Sequence, residues 1–399
     1  MRKAERPRGE RPHRALQQGG IVFLASFAAA CSGGSDHEVA TVDELLAPGS
    51  YAVVKFTLTL VDPDRATPPS GSFAGSPTRT LPTDLYAPAF GAPGEVSPDA
   101  EIAFADGPFP LVVFAHGFAG SRTNFAGTLA HLASHGFVVA AVEFPSTNLT
   151  ALSTATANVV DLIEQPRDVS FVINSLLGTG DPQAAHFGVV VDGDRIGLLG
   201  HSFGGGTAFL SIVAGPLADD RVDAVVAVAP FTCVLGAGAL SATTAPVLII
   251  QGTSDAISNA AWSDETHELM SPPKSLLRII GGDHLGYFSD PVLQGLRDAA
   301  VLPVLAGGVD TSQFEQLGTA LLATVPGADP DRCASRPVFP DPAELTDPLL
   351  PIERQREIAD AAITAFLEAF VAGDGSARRF LARDVEESFG SDVEWETRP

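Results

Sequence analysis

A chain of 399 residues, 18% charged and 45% hydrophobic, is long enough to bury a sizeable core and has the balance of a folded protein. Its formal charge of −24 at pH 7 argues against a polyanion partner, because such a surface repels nucleic acid and no basic cluster interleaved with aromatic residues offsets it. The three cysteines form no C-x-x-C pair, so a zinc site is not expected.

The chain opens with the basic leader MRKAERPRGERPHRALQQGG, followed by IVFLASFAAA, an apolar run too short to span a bilayer. Residues 1–30 therefore read as an export signal. Cys31, between small residues and the polar SGGSDHE, resembles the processing site of bacterial lipoproteins, with Ala28 standing where those usually have Leu or Val. The resemblance implies a lipid on Cys31, a tether over residues 31–50 and a cell-envelope location; plain cleavage and secretion is the alternative. The leader has six Lys or Arg against two Asp or Glu, so from Cys31 onward the charge is −28, that is −24 less the leader's +4. A neutral substrate is favoured over an anionic one.

From residue 51 the text reads as one α/β domain. YAVVKFTLTLV alternates as a strand, a Pro- and Gly-rich loop follows, and RTLPTDLYAP is a second strand. Apolar runs then recur at FPLVVFA, GFVVAAVEF, RIGLLG, VDAVVAVAP, APVLIIQG and LLRIIGG, with helix-compatible stretches such as FAGTLAHLASH, RDVSFVINSLL and GGTAFLSIVAG between several of them. Continuous Val/Ile/Leu strands with helical crossovers indicate a mostly parallel sheet covered on both faces. Residues from about 290 to 351 break the rhythm and read as an insertion ahead of a final amphipathic helix, IERQREIADAAITAFLEAFVAG. Cys333 lies in that insertion and Cys233 at the end of an inner strand; in an exported protein the two are expected to pair. The acidic tail RDVEESFGSDVEWETRP is expected to be solvated.

The chemistry centres on GHSFG, Gly200 to Gly204, which follows the strand RIGLLG and precedes a helical stretch. That context is what a G-x-S-x-G turn needs to present Ser202 as a nucleophile. A serine hydroxyl requires a base, an acid to orient the base, and donors for an oxyanion. His284, in the loop GGDHLGYF after the last apolar strand, is the candidate base; His131, His135 and His267 fall in helix-like stretches, and His186 lies far from any strand end. Asp255, just past the strand VLIIQG, is the candidate acid. Asp283 adjoins His284 too closely to curl back onto its Nδ1, and Asp264 lies in a helix. The backbone N–H groups of Phe118, in the loop after FPLVVFA, and of Phe203 are the candidate oxyanion donors. His116 has no second metal ligand beside it and reads as a structural hydrogen-bonding group, while His201 and Phe231 are expected in the wall of the cleft.

The order Ser202, Asp255, His284 is that of the α/β-hydrolase fold. The run AHGFAGSRTNFAGTLAHLASHGFVVAAVE, with GDRIGLLGHSFGGGTA, resembles platelet-activating-factor acetylhydrolase-like and dienelactone-hydrolase-like secreted esterases, a set that includes bacterial cutinase-type polyester hydrolases. The resemblance spans roughly Arg79 to Tyr287 and the final helix, and implies hydrolysis of small or polymeric carboxylic esters without a cofactor. In the acetylhydrolases the acid follows the strand after the nucleophile helix; here that strand ends VAVAPFTCV without a carboxylate. The acid thus sits one strand later, as in the polyester and dienelactone hydrolases, which points away from phospholipids. A peptidase or thioesterase on the same residues, and a silent binding module, are the alternatives. Pro230 to Ala245, the usual place for a lid, is too short to hold one, so no large cap and an open cleft are expected.

Overall fold

The computed structural model describes residues 39–243, 245–308, 312–337 and 339–399. The export segment and Cys31 lie outside the described residues. Nine strands form one sheet: β1 (Ala52–Asp62), β2 (Arg79–Ala89), β3 (Phe109–Ala115), β4 (Val138–Val142), β5 (Val191–His201), β6 (Val222–Val228), β7 (Val247–Gly252), β8 (Lys274–Ile279) and β9 (Val393–Arg398). Their order is β1-β2-β4-β3-β5-β6-β7-β8-β9. From β4 to β8 all neighbours are parallel, while β1, β2 and β9 pair antiparallel at the two edges.

The inner strands are apolar throughout because both faces are covered. Alternate residues feed two cores: Leu198 and Ile249 join one, Leu199 and Ile250 the other. The helices that matter for the site are α1 (Val42–Leu46), α2 (Ala126–Ser134), α3 (Gln165–Leu176), α4 (Phe203–Leu210), α5 (Ala260–Leu269), α6 (Asp298–Gly308), α7 (Ser312–Thr324), α8 (Ile352–Leu367) and α9 (Gly375–Arg383). α8 is the final amphipathic helix of the sequence, and Ile358, Ala362 and Phe366 bury its apolar face in the second core.

Two expectations are corrected. The fold begins before residue 51: Thr41 and Glu44 form a reciprocal capping box on α1, and Leu45 is buried in the core that includes α8. The Leu45 carbonyl, moreover, lies 2.8 Å from His131 Nε2 of α2. The acidic tail is not solvated either. Val393–Arg398 adds β9 to the sheet, Leu277 opposite Trp395, and the Trp395 indole donates to the Leu381 carbonyl (3.1 Å). Its carboxylates suit an edge strand because Arg278 of β8 faces Glu394 and Glu396.

The segment around 290–351 folds largely into α6, α7 and a short helix at Asp331–Ala334. Cys233 and Cys333 are joined by a disulfide across a sequence separation of 100. Beside it Arg332 donates to the carbonyls of Thr232 and Leu235, and Asp329 N–H to Val234 O (2.9 Å). Further on, Asp347 accepts from Thr253 Oγ1 (2.6 Å), and its carbonyl from Ser254 Oγ (3.0 Å). The insertion is therefore pinned to the loops after β6 and β7.

Candidate active site

Ser202 closes β5 and caps α4 with φ 56° and ψ −118°, a conformation L residues rarely adopt and one that costs about 1–3 kcal/mol. The neighbouring strands hold it there. Its N–H donates to Val228 O (2.9 Å), and its carbonyl accepts from Phe231 N–H (2.9 Å) and Gly206 N–H (3.1 Å). Gly204 is required by crowding, since a Cβ there would lie 1.9 Å from the Ala115 carbonyl oxygen. The helix thus starts hard against the end of β3, where the candidate oxyanion loop begins.

In that loop His116 is fully buried and bridges two backbone groups. Its Nε2 accepts from Phe144 N–H (3.0 Å), which leaves the proton on Nδ1 to donate to the Gly117 carbonyl (2.8 Å). Burial, the largest influence, holds His116 below the usual imidazole range and so keeps it neutral. Gly120 N–H donates to the same carbonyl (2.9 Å). In a trans peptide the next N–H, that of Phe118, points the opposite way. It has no partner among the described residues, nor has the N–H of Phe203, the first residue of α4. A Cβ on Gly117 would lie 2.9 Å from Ser202 Cβ, so the two donors flank the serine closely.

Asp255 and His284 come from the loops after β7 and β8. His284 Nδ1 lies 2.8 Å from Asp255 Oδ2, with both side chains buried. The rest of the carboxylate is fully engaged: Gln251 Nε2 donates to Oδ2 (3.0 Å), and the N–H groups of Ile257 (2.8 Å) and Ser258 (2.7 Å) donate to Oδ1. Gln251 is itself held by Ser263 Oγ (2.7 Å). Burial opposes a charge on His284, but the charge and hydrogen bond of Asp255, with Asp298 and Asp283 nearby, outweigh it and raise its pKa above the ordinary value. Asp283 instead accepts from Gly286 N–H (2.7 Å). Among the described residues no hydrogen bond joins Ser202 to His284, although both line the same cavity.

His201 is a buried brace as well as a wall. Its Nε2 donates to the His284 carbonyl (3.0 Å), with the rings 4.6 Å apart. Burial and the neighbouring His284 keep it neutral.

The cavity holds about 240 Å³. Phe118, Phe203, Phe231 and Trp262 form a connected aromatic row along it, with centroid spacings of 5.6, 4.8 and 6.0 Å. The insertion adds Leu293, Leu296, Val301, Leu305, Phe314 and Phe339 to the lining, with the Phe314 ring 6.0 Å from that of Phe231. The expectation of an open cleft did not include this lining. The connection between β6 and β7 is indeed short, and further lining enters from the segment between β8 and α8. The sequence also gave no hint of Gln251, Trp262 or Asp298 in the site, apart from the glutamine interrupting the apolar run VLIIQG.

Among the described residues one trio of possible metal ligands, His267, Glu268 and Glu396, lies within 4.8 Å. Arg278 already pairs with Glu396 (2.6 Å) and Arg398 with Glu268 (3.2 Å), and none of the three lines the cavity.

The strand order, the strained serine turn after β5 and the loops after β7 and β8 are those of the α/β-hydrolase fold. The family model described as Chlorophyllase matches residues 101–260, a span that includes Ser202 and Asp255 and stops short of His284. No curated protein matches the chain. Solved structures that share the fold include ferulic acid esterase from Streptomyces cinnamoneus, 20% identical, covering 83% of this chain and 93% of that one with a TM-score of 0.53. At that identity the likeness is one of fold.

Proposed function

We propose that this α/β-hydrolase is a serine esterase that cleaves uncharged carboxylic esters through an acyl-enzyme. The observation that carries the reading is the buried Asp255–His284 hydrogen bond beside a strained serine flanked by two unpartnered N–H groups. Ser202 Oγ attacks the ester carbonyl while His284 Nε2 takes its proton, and the developing oxyanion accepts from the N–H groups of Phe118 and Phe203. Asp255 holds the proton of the neutral ring on Nδ1, so that Nε2 is the free base, and stabilises the imidazolium that forms. His284 then protonates the departing alcohol. Water, deprotonated by the same nitrogen, attacks the acyl carbon, and collapse of the second tetrahedral intermediate releases the acid and restores Ser202.

The names Chlorophyllase and ferulic acid esterase, and the resemblance to secreted esterases, support an ester over an amide. The aromatic row and the aliphatic lining from the insertion suit an apolar or aryl acyl or alkyl group, and that lining favours a small-molecule ester over a polymer chain. We infer that the protein is exported and that Cys31 carries a lipid, a reading supported by the leader and compatible with the disulfide.

A panel of p-nitrophenyl esters of increasing chain length, set beside aminoacyl p-nitroanilides and acyl thioesters, tests the assignment. Ester turnover is expected to exceed the other two by orders of magnitude; faster anilide or thioester cleavage would replace it with a peptidase or thioesterase. For the anchor, Cys31→Ser is expected to release the protein from the membrane fraction, and a wild type found wholly soluble after export would refute it.

A further inference from the structure

The insertion does more than line the cavity. Asp298, the first residue of α6, is buried, and its carboxylate reaches both loops that carry the acid and the base. Oδ2 accepts from the N–H of Ala256 (2.9 Å), the residue after Asp255, and from the N–H of His284 itself (3.0 Å); Oδ1 accepts from Leu285 N–H (3.0 Å). The preceding residue completes the grip. Arg297 Nη1 lies 3.2 Å from Asp283 Oδ2, and its Nη2 donates to the Leu350 carbonyl. On the same helix Val301, Val304 and Leu305 line the cavity, so one element touches both the substrate space and the base loop.

We propose that Asp298 is a positioning residue through which the insertion holds the acid and base loops in register, so that the catalytic histidine is aligned only when α6 is seated. The proposal rests on the serine-esterase reading above. Three N–H donors converging on one carboxyl group call for a carboxylate: an amide has one acceptor oxygen, and its NH2 would face a donor. The charge also acts on His284 directly, because a nearby anion favours the imidazolium.

The charged and titratable groups facing Asp298 are Asp255 from the loop after β7, Asp283, His284 and Tyr287 from the loop after β8, and Arg297 from its own segment, with His201 behind His284. Burial, then the Asp255 charge, push the Asp298 carboxyl up to about 7. Acidification therefore loosens the clasp and also protonates His284, and both lower activity.

The test compares the wild type with Asp298→Asn and Asp298→Glu, using p-nitrophenyl butyrate from pH 5 to 9, with folding followed by circular dichroism. In Asp298→Asn kcat is expected to fall about 10- to 100-fold with KM within about threefold, the signature of misalignment. The acid limb of kcat/KM is expected to move roughly half a unit or more to lower pH, because the anion that favours imidazolium is gone. Asp298→Glu keeps the charge on a longer arm, so its acid limb is expected to stay at the wild-type position while kcat remains below wild type. A folded Asp298→Asn with wild-type kcat, or with an unmoved acid limb, would overturn the proposal. If Asp298→Asn does not fold, the glutamate variant decides: lowered kcat with an unmoved limb supports the clasp, and wild-type kcat refutes it. Failure of the esterase reading is separate, since it would show as a wild-type protein that a fluorophosphonate does not label.

Discussion

The two halves of the site are held in place by different means. On the nucleophile side Ser202, Gly204, Gly117 and the Phe118 N–H are fixed by backbone: a strained dihedral between β5 and α4, peptide hydrogen bonds to β6, and contacts that leave no room for a Cβ. On the base side His284 sits in a loop held by side chains. Gln355 of α8 donates to the Asp283 carbonyl (2.7 Å) and accepts from its N–H (3.1 Å), and Asp298 and Arg297 reach in from the insertion. The first side is held by backbone contacts and by the buried, neutral His116 ring. The second is adjustable, tied to the cavity-lining insertion, and open to titration.

The largest effect is expected at the reacting atoms themselves. Ser202→Ala is expected to lower kcat by at least about 10³-fold while leaving the fold intact, checked by turnover of p-nitrophenyl acetate alongside circular dichroism. A folded variant with wild-type turnover would remove Ser202 from the mechanism. Next in size is Asp255→Asn on the adjustable side, expected to reduce kcat by roughly 10³- to 10⁴-fold because the imidazole loses the partner that fixes its tautomer. Steady-state kinetics with an unchanged melting temperature would show that the loss is chemical.

Stability separates the two sides differently. Gly204→Ala drives a methyl group into the Ala115 carbonyl and is expected to destabilise the fold by about 3 kcal/mol or more, read as a large drop in denaturant midpoint. Reduction of Cys233–Cys333, a closure of about 100 residues, is expected to cost up to roughly 4–5 kcal/mol in the chain-entropy picture. Its activity loss is expected first with bulky esters, because the bond pins the insertion and not the serine turn. Calorimetry with and without reductant, run beside ester kinetics, checks both statements.

The smallest expected effect is the pH profile. In the proposed mechanism His284 must be neutral to accept the serine proton; burial lowers its pKa, and Asp255, Asp298 and Asp283 together outweigh that and raise it. Activity is therefore lost as pH falls, and the midpoint of the acid limb of kcat/KM is expected above about 6.5, the value of an unperturbed imidazole. A midpoint well below that would mean that burial outweighs the three carboxylates.

What could be read from the sequence follows the same division. The eight apolar or alternating runs correspond to β1–β8, because a strand buried on both faces leaves an unbroken hydrophobic signal, and the glycines of GHSFG are dictated by crowding that any such turn creates. The places of Asp255 and His284 just past strand ends, from which they meet at 2.8 Å, were legible too. The insertion's lining was not, since the apolar residues of Leu293 to Leu305 and Phe314 face a cavity and look like ordinary core. Asp298 carries no spacing signal at all: its partners are backbone N–H groups, which every residue but proline possesses. β9 was hidden because an edge strand rich in Glu satisfies its charges against Arg278 and so reads as solvent-exposed. α1 was hidden by its brevity.

Covalent capture of Ser202 tests the proposed acyl transfer most directly. Incubation of the wild-type protein with a fluorophosphonate, followed by peptide mapping by mass spectrometry, is expected to give a single adduct on Ser202 with parallel loss of esterase activity, and no adduct in Ser202→Ala. An active protein that stays unlabelled, or that carries the adduct on another residue, would contradict the account.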